Sequence, residues 1–420
     1  MDTMQMFSRA ILLSSVSYSS SACHRTVIVC KYSLRMRCLV LLLSLLHFCK
    51  DVTHHERPQN VILFLADGGG PAALALSRNV RNGPLVLDQY LTGAVRTASA
   101  NSQVTDSAAA ATAYSCGFRT NNEVVGMGPT GQACRSLSTE LSRRGYFTAV
   151  LTNTRLTHAT PAAFTASVPR RDDEAAIALQ QIHSAVHLLA GGGLRKDGKD
   201  VLAQARQNGW RVLSGLQDFA RPGGKDLIFL GDDHLSYAID RPVGEISYAD
   251  WTEQIIKKVL ELNKPFFLLI EAGRIDHAAH RNDAAAMAKE VLEFDEAFSR
   301  AVALTRLEGQ TLVLATADHE TGGLSLGRMK DGLAVYGYSP EVLRRIRSST
   351  RVMAETIHGG SSCALTMREA AGIQLGLSEI QRCAQEKHQE PLALLLAAII
   401  SEKAGIAWST TGHTGVDVGL

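Results

Sequence analysis

The stretch NVILFLADGGG, residues 60–70, decides the fold. Asn60 to Ala66 is a run of strand length whose apolar residues follow one another without polar alternation, so it reads as a strand buried on both faces. Strands of that kind belong to parallel sheets held between helical layers. The run stops at Asp67 and three glycines. In open α/β sheets functional side chains gather beyond the carboxyl ends of the strands, which makes Asp67 a candidate for chemistry. An acidic residue in a glycine-rich turn is the ordinary alternative, and this stretch alone does not choose between them.

Outward from it, similar runs recur. Phe147 to Leu151, VHLLAGGG at 186–193, Asp226 to Leu230, PFFLLI at 265–270 and TLVLATA at 311–317 read as strands. Between them Asp172 and Asp173 cap a helix running to His183, while Asp200 to Asn208 and the amphipathic Tyr248 to Asn263 read as helices. The alternation predicts an α/β fold, a doubly wound, mostly parallel central sheet with helices on both faces. From residue 328 to about 405 the pattern becomes helix after helix (Ser339–His358, Cys363–Leu375, Ser378–Lys387, Pro391–Lys403), which reads as a helical insertion or cap over the site.

Composition sets bounds. With 420 residues and 45% hydrophobic content the chain can bury a large core, and a net charge of +2 excludes a nucleic-acid partner held by bulk charge. Residues 1–52 read as a leader. Arg35 and Arg37 precede the short apolar run Cys38–Cys49, so residues 36–49 have the layout of a secretory signal, and residues 1–35 read as an extension ahead of a true start at Met36. The expectation is an exported protein, periplasmic or extracellular, membrane-associated only if the leader is uncleaved. Residues 53–420 then form the catalytic domain. Cys116, Cys134, Cys363 and Cys383 lie beyond the leader; their even number suits an oxidising compartment and leaves the pairing open.

The chemistry centres on VTDSAAAATAY, residues 104–114. Alanines favour a helix, which puts Ser107 in its first turn, where free N–H groups and the dipole favour an anion. Taken alone, Thr105, Asp106 and Ser107 read more readily as a cap on a buried helix. The strand ends shift the balance. Asp67, Glu271 and Asp318 each follow a buried run, His319 stands beside Asp318, and Asp276 and His280 share a helical face; His413 lies near the C-terminus. Six carboxylate and imidazole ligands suit two zinc ions, with Glu271 and Thr160 as harder oxygen donors. Two such metals can clamp an in-line displacement at phosphorus. Arg170 or Arg171 offers the planar fork for phosphate oxygens; spacing does not separate the two.

The stretches NVILFLADG, VTDSAAAATAY, THATPAAF with the following PRR, EAGRIDHAAH, TADHETGG and TTGHTGVD run in order from Asn60 to Asp417, and in them the chain resembles the alkaline phosphatases, metal-dependent phosphomonoesterases. The resemblance implies that Ser107 is the phosphorylated nucleophile and that Arg171, oriented by Asp106, clamps the phosphate. It implies one zinc on Asp276, His280 and His413, and a second on Asp318, His319 and Asp67. Asp67 would bridge to magnesium, completed by Thr160 and Glu271. His158 and His277 fall at positions where members differ, some having Asp and Lys instead, and would either support the ligands from behind or serve as occasional ligands. Substrates would be small phosphate monoesters, and homodimers are common among members.

Two departures set expectations of their own. The chain ends at Leu420, soon after His413, which predicts a poorly anchored His413 and keeps a catalytically impaired metal-binding relative as an alternative. Gly68-Gly69-Gly70 predicts a loosened loop after Asp67. A phosphodiesterase of the same superfamily is the other alternative.

Overall fold

The computed structural model describes residues 58–193, 199–219, 222, 224–306 and 308–420. The leader expected over residues 1–52, with its signal segment 36–49, lies outside them. The central sheet has seven strands: β1 (Asn60–Ala66), β2 (Phe147–Arg155), β3 (Leu188–Gly192), β4 (Trp210–Leu213), β5 (Lys225–Phe229), β6 (Phe266–Glu271) and β7 (Thr311–Ala317). They lie in the order β4-β5-β3-β2-β6-β1-β7, and every neighbouring pair is parallel. Every residue of β1 and of β6 is buried, as their unbroken apolar runs require.

Register places the site. Leu65 is level with Glu271 on one side and Thr316 on the other, and Thr152 is level with Glu271. The adjacent strands β6, β1 and β7 therefore finish in one row, β2 running on past it from Thr152 to Arg155, and the residues that follow β6, β1 and β7 must share one edge of the sheet.

The core beneath that edge is a single hydrophobic cluster from Val61 to Val418. Phe64 meets Phe294 and Phe298 edge to face, with centroids 5.7 Å away in each case. Both partners sit on the 22-residue helix Ala284–Thr305, capped by the Asp283 carboxylate on Ala286 N–H. On the opposite face the helices Leu137–Arg143 and Ala159–Ala163 pack against β2. The long helix and the strand β4 are additions to the elements expected from sequence.

The segment after residue 328 departs from the all-helical expectation. It opens with a hairpin, Arg328–Lys330 against Leu333–Val335, turned by Asp331 and Gly332 at φ of 51° and 76°. Positive φ at both central residues marks the tight turn that matches strand twist. The expected helix Ser339–His358 is two helices, Pro340–Arg344 and Thr350–His358, the second capped by Ser349. Helices Cys363–Ala371, Leu377–Gln385 and Gln389–Ala404 follow. Arg344 ties this segment to the body through the Val80 and Asn79 carbonyls at 2.9 and 2.6 Å. Disulfides join Cys116 to Cys134 and Cys363 to Cys383. Loop closure of this size stabilises by about 3 kcal/mol each.

His413 is held firmly, contrary to the expectation of weak anchoring. Residues His413–Thr414 pair with Glu320–Thr321, and Val418–Gly419 pair with Ala94–Val95. The Leu420 carbonyl accepts from the N–H groups of Thr92 and Gly93 at 2.8 and 3.0 Å.

The glycine triplet is tight, not loose. Gly68 has φ of +74°, a β-carbon on it would fall 2.8 Å from Asp276 Cα, and one on Gly70 would fall 2.0 Å from Glu320 Cγ. Glu320 in turn accepts from Gly323 N–H at 3.0 Å and from the Thr414 hydroxyl. Gly70→Ala should therefore displace Glu320 and loosen the strand that carries His413, at a stability cost of about 1–3 kcal/mol typical of overpacking. Urea unfolding of the two proteins measures it.

Candidate active site

Ser107 is the first residue of the helix Ser107–Cys116. Its sequence, SAAAATAYSC, is buried from Ser107 through Ser115, which small side chains permit on every face. Asp106 caps it, accepting from Ala109 N–H at 2.9 Å. Its other carboxylate oxygen accepts from Glu123 N–H at 3.0 Å and from Arg171 Nη1 at 3.1 Å. One side chain thus fixes both the helix start and the guanidinium. The structure separates the two arginines: the Arg170 side chain is 66% exposed and paired with Glu123 and Asp172, while Arg171 is 23% exposed and faces inward.

Three clusters of ligand atoms form along the row of strand ends. Asp276, His280 and His413 make the first, Asp67, Asp318 and His319 the second, and Asp67, His158 and Glu271 the third, with the ligand atoms of each within 4.8 Å of one another. Asp67 belongs to two of them. Ser107 Oγ lies 3.2 Å from His319 Nε2 and 3.4 Å from Asp67 Oδ1. His280 Nδ1 faces the Thr411 carbonyl at 2.5 Å and His413 Nδ1 the Thr105 carbonyl at 2.9 Å, which leaves both Nε2 atoms turned to Asp276. Such partners orient imidazoles for metal binding.

The donor chemistry fits cations. Asp67 Oδ2, Asp318 Oδ2, Glu271 Oε1, His158 Nδ1 and Thr160 Oγ1 are buried and make no hydrogen bond, although buried polar atoms are ordinarily paired. Burial, followed by the charges of Asp318, Asp276 and Glu271, holds the Asp67 carboxyl well above the usual range. Burial and then Asp276 push Asp318 up to about 8. Burial, reinforced by His413, keeps His319 neutral, the form that binds a metal.

His277 and His158 meet at the rear of the third cluster, with ring centroids 5.3 Å apart. Arg274 Nη1 lies 2.7 Å from His277 Nδ1, and Arg171 Nη2 lies 3.4 Å from His158 Nε2. Three residues here were not anticipated from sequence. His234, in the turn after β5, packs 4.5 Å from His277 between ring centroids; burial and the Arg155 guanidinium push it down to about 2. Glu320 and Thr321 continue the TADHETGG stretch past His319, and only the pairing with His413–Thr414 reveals their place.

Fold and site together define an α/β protein with groups of candidate metal ligands at its strand ends. The family model for alkaline phosphatase matches residues 58–420. The alkaline phosphatase of Schizosaccharomyces pombe is 34% identical over 431 residues, covering 91% of this chain and 81% of that one. Among solved structures, a cold-active alkaline phosphatase from a psychrophilic Shewanella superposes with a TM-score of 0.80 at 27% identity, covering 86% of this chain and 93% of that one. A mutant alkaline phosphatase of the Antarctic bacterium TAB5, with Mg bound in a site called M3, gives a TM-score of 0.64 at 26% identity over 86% and 90% of the two chains. The chain belongs to the alkaline phosphatase family, and it is a phosphatase.

The crowded acids give a pH test. Asp318 and Asp67 keep protons in the folded, metal-free protein that the unfolded chain releases near the ordinary carboxylate value of 3.8, so raising pH toward about 8 costs stability. His319 and His277, held neutral, act oppositely, but only below their ordinary 6.5. Metal-free protein should therefore lose thermal stability between about pH 6.5 and 8, and bound divalent cations should abolish that decline. Melting curves with and without chelator check both.

Proposed function

We propose that the chain hydrolyses phosphate monoesters through a phosphoserine at Ser107, in a site holding two zinc ions and one magnesium ion. The observation that carries this is the Ser107 hydroxyl at a helix N-terminus, 3.2 Å from His319 Nε2, among buried ligand atoms without hydrogen-bond partners. The first cluster, Asp276, His280 and His413, and the second, Asp67, Asp318 and His319, offer the mixed carboxylate and imidazole donors that zinc takes. Asp67 and Glu271, with Thr160, offer oxygen donors for magnesium, and the Mg named for the TAB5 enzyme supports a third site. His158 would border that site and His277 would back it. When bound, the metal ions supply Lewis acidity that lowers the serine hydroxyl's pKa and stabilises the leaving oxygen.

The chain's own residues do the rest. Arg171, held by Asp106, presents its planar fork to the non-bridging oxygens. The helix N-terminus favours the same negative charge. Ser107 Oγ forms a bond to phosphorus as the ester's P–O bond breaks; the serine proton goes to solvent and the departing alcohol oxygen takes one up. Water then cleaves the Ser107–phosphorus bond, releasing inorganic phosphate and restoring the hydroxyl. Two disulfides accord with an oxidising compartment and support export. Among the described residues no helix is long and apolar enough to cross a membrane.

Ser107→Ala should lower monoester turnover about 10³-fold or more while keeping bound zinc. Retained phosphoenzyme in that variant would sink the assignment. Arg171→Ala should weaken inhibition by inorganic phosphate about 10- to 100-fold, as expected for lost charge-assisted hydrogen bonds. A folded, zinc-loaded chain without turnover would mark the impaired relative, and preference for the matching diester would mark the phosphodiesterase.

A further inference from the structure

We infer that Thr321 is a positioning residue that couples the first and second clusters, its hydroxyl donating to Asp276 and accepting from His319, so that His319 keeps the tautomer whose Nε2 is free for metal. The inference rests on the reading of those clusters as zinc sites. Thr321 is buried, in a two-residue strand paired with His413. Its Oγ1 donates to Asp276 Oδ1 at 2.6 Å and lies 3.2 Å from His319 Nδ1.

A hydroxyl has one proton to give, and a carboxylate accepts only. Thr321 spends that proton on Asp276, so toward His319 it can only accept. His319 Nδ1 must then carry the hydrogen of the neutral ring. Its Nε2 keeps the lone pair and lies 3.3 Å from Asp318 Oδ2 and 3.5 Å from Asp67 Oδ1, among the other ligands of the second cluster.

The other two histidines need no such arrangement. His280 and His413 face backbone carbonyls, which accept only and fix the tautomer unaided. At Nδ1, His319 alone of the three has a partner able to donate, and the bond to Asp276 removes that freedom. Stacking against His413, with ring centroids 3.6 Å apart, restrains the plane of the ring but not which nitrogen bears hydrogen. The same hydroxyl therefore orients a carboxylate in one cluster and an imidazole in the other, and loosening either loosens both.

The test compares the full chain with Thr321→Val, which keeps the branched shape, and Thr321→Ser, which keeps the hydroxyl. Nitrogen-15 spectra of the imidazoles in metal-free protein should show His319 protonated at Nδ1 in wild type and in T321S, and a mixture of tautomers in T321V. Zinc titrated against a chromophoric chelator should bind both sites about 10- to 100-fold more weakly in T321V, with T321S restoring most of the loss. Monoester kcat should fall with zinc occupancy while melting of the metal-free variants stays near wild type. Protonation of wild-type His319 at Nε2 would overturn the inference without any variant. So would zinc affinities in T321V within about twofold of wild type at both sites. A wild type that holds zinc but hydrolyses no monoester would overturn the phosphatase reading alone, since the spectra and the zinc titration still decide Thr321.

Discussion

Four carboxylates, Asp67, Glu271, Asp276 and Asp318, are buried together at the end of one sheet, and their mutual repulsion is the constraint the rest of the structure answers. Each is unfavourable there singly, and together they raise Asp67 and Asp318 far from their ordinary range. Only a packed scaffold can impose that proximity. Parallel strands β6, β1 and β7, level at their ends and flanked by β2, supply it. Around the acids the cationic and neutral partners are arranged by distance: Arg171 close enough to offset the charge on Asp67, the His319 imidazole held neutral by burial, and backbone carbonyls behind the His280 and His413 rings.

The same constraint explains the tightness of the glycine turn. A loop following Asp67 has to pass Asp276 and Glu320 at contact distance, and a side chain at residues 68 or 70 would occupy the space those acids fill. Glu320 then connects this turn with the strand of His413 through Thr414. Ligands remote in sequence are thereby made neighbours by packing between short elements rather than by the main sheet alone.

The legible part of the fold was the part written in unbroken apolar runs. Such runs betray doubly buried strands, and strand ends in α/β sheets collect functional groups, so Asp67, Glu271, Asp318 and His319 could be found from position alone. What stayed hidden had no period to read. The strand Glu320–Thr321 is two residues long and finds its partner near the C-terminus; His234 sits in a turn whose shape is set by contacts with Arg155. Arg170 and Arg171 are adjacent, and only the geometry of Asp106 chooses between them. The hairpin turned by Asp331 and Gly332 went unread, because its three-residue arms are largely exposed and carry no core pattern.

The first cluster joins Asp276 and His280 to a histidine at residue 413, and the strand bearing that histidine is clasped by residues 320–321. During synthesis on the ribosome, the second and third sets of ligands emerge and can be packed while His413 is still within the exit tunnel or not yet made. The nascent chain therefore lacks a complete first cluster until residue 413 has left the tunnel. A growing chain that still lacks residue 413 carries the ligand atoms of two clusters and only part of the first.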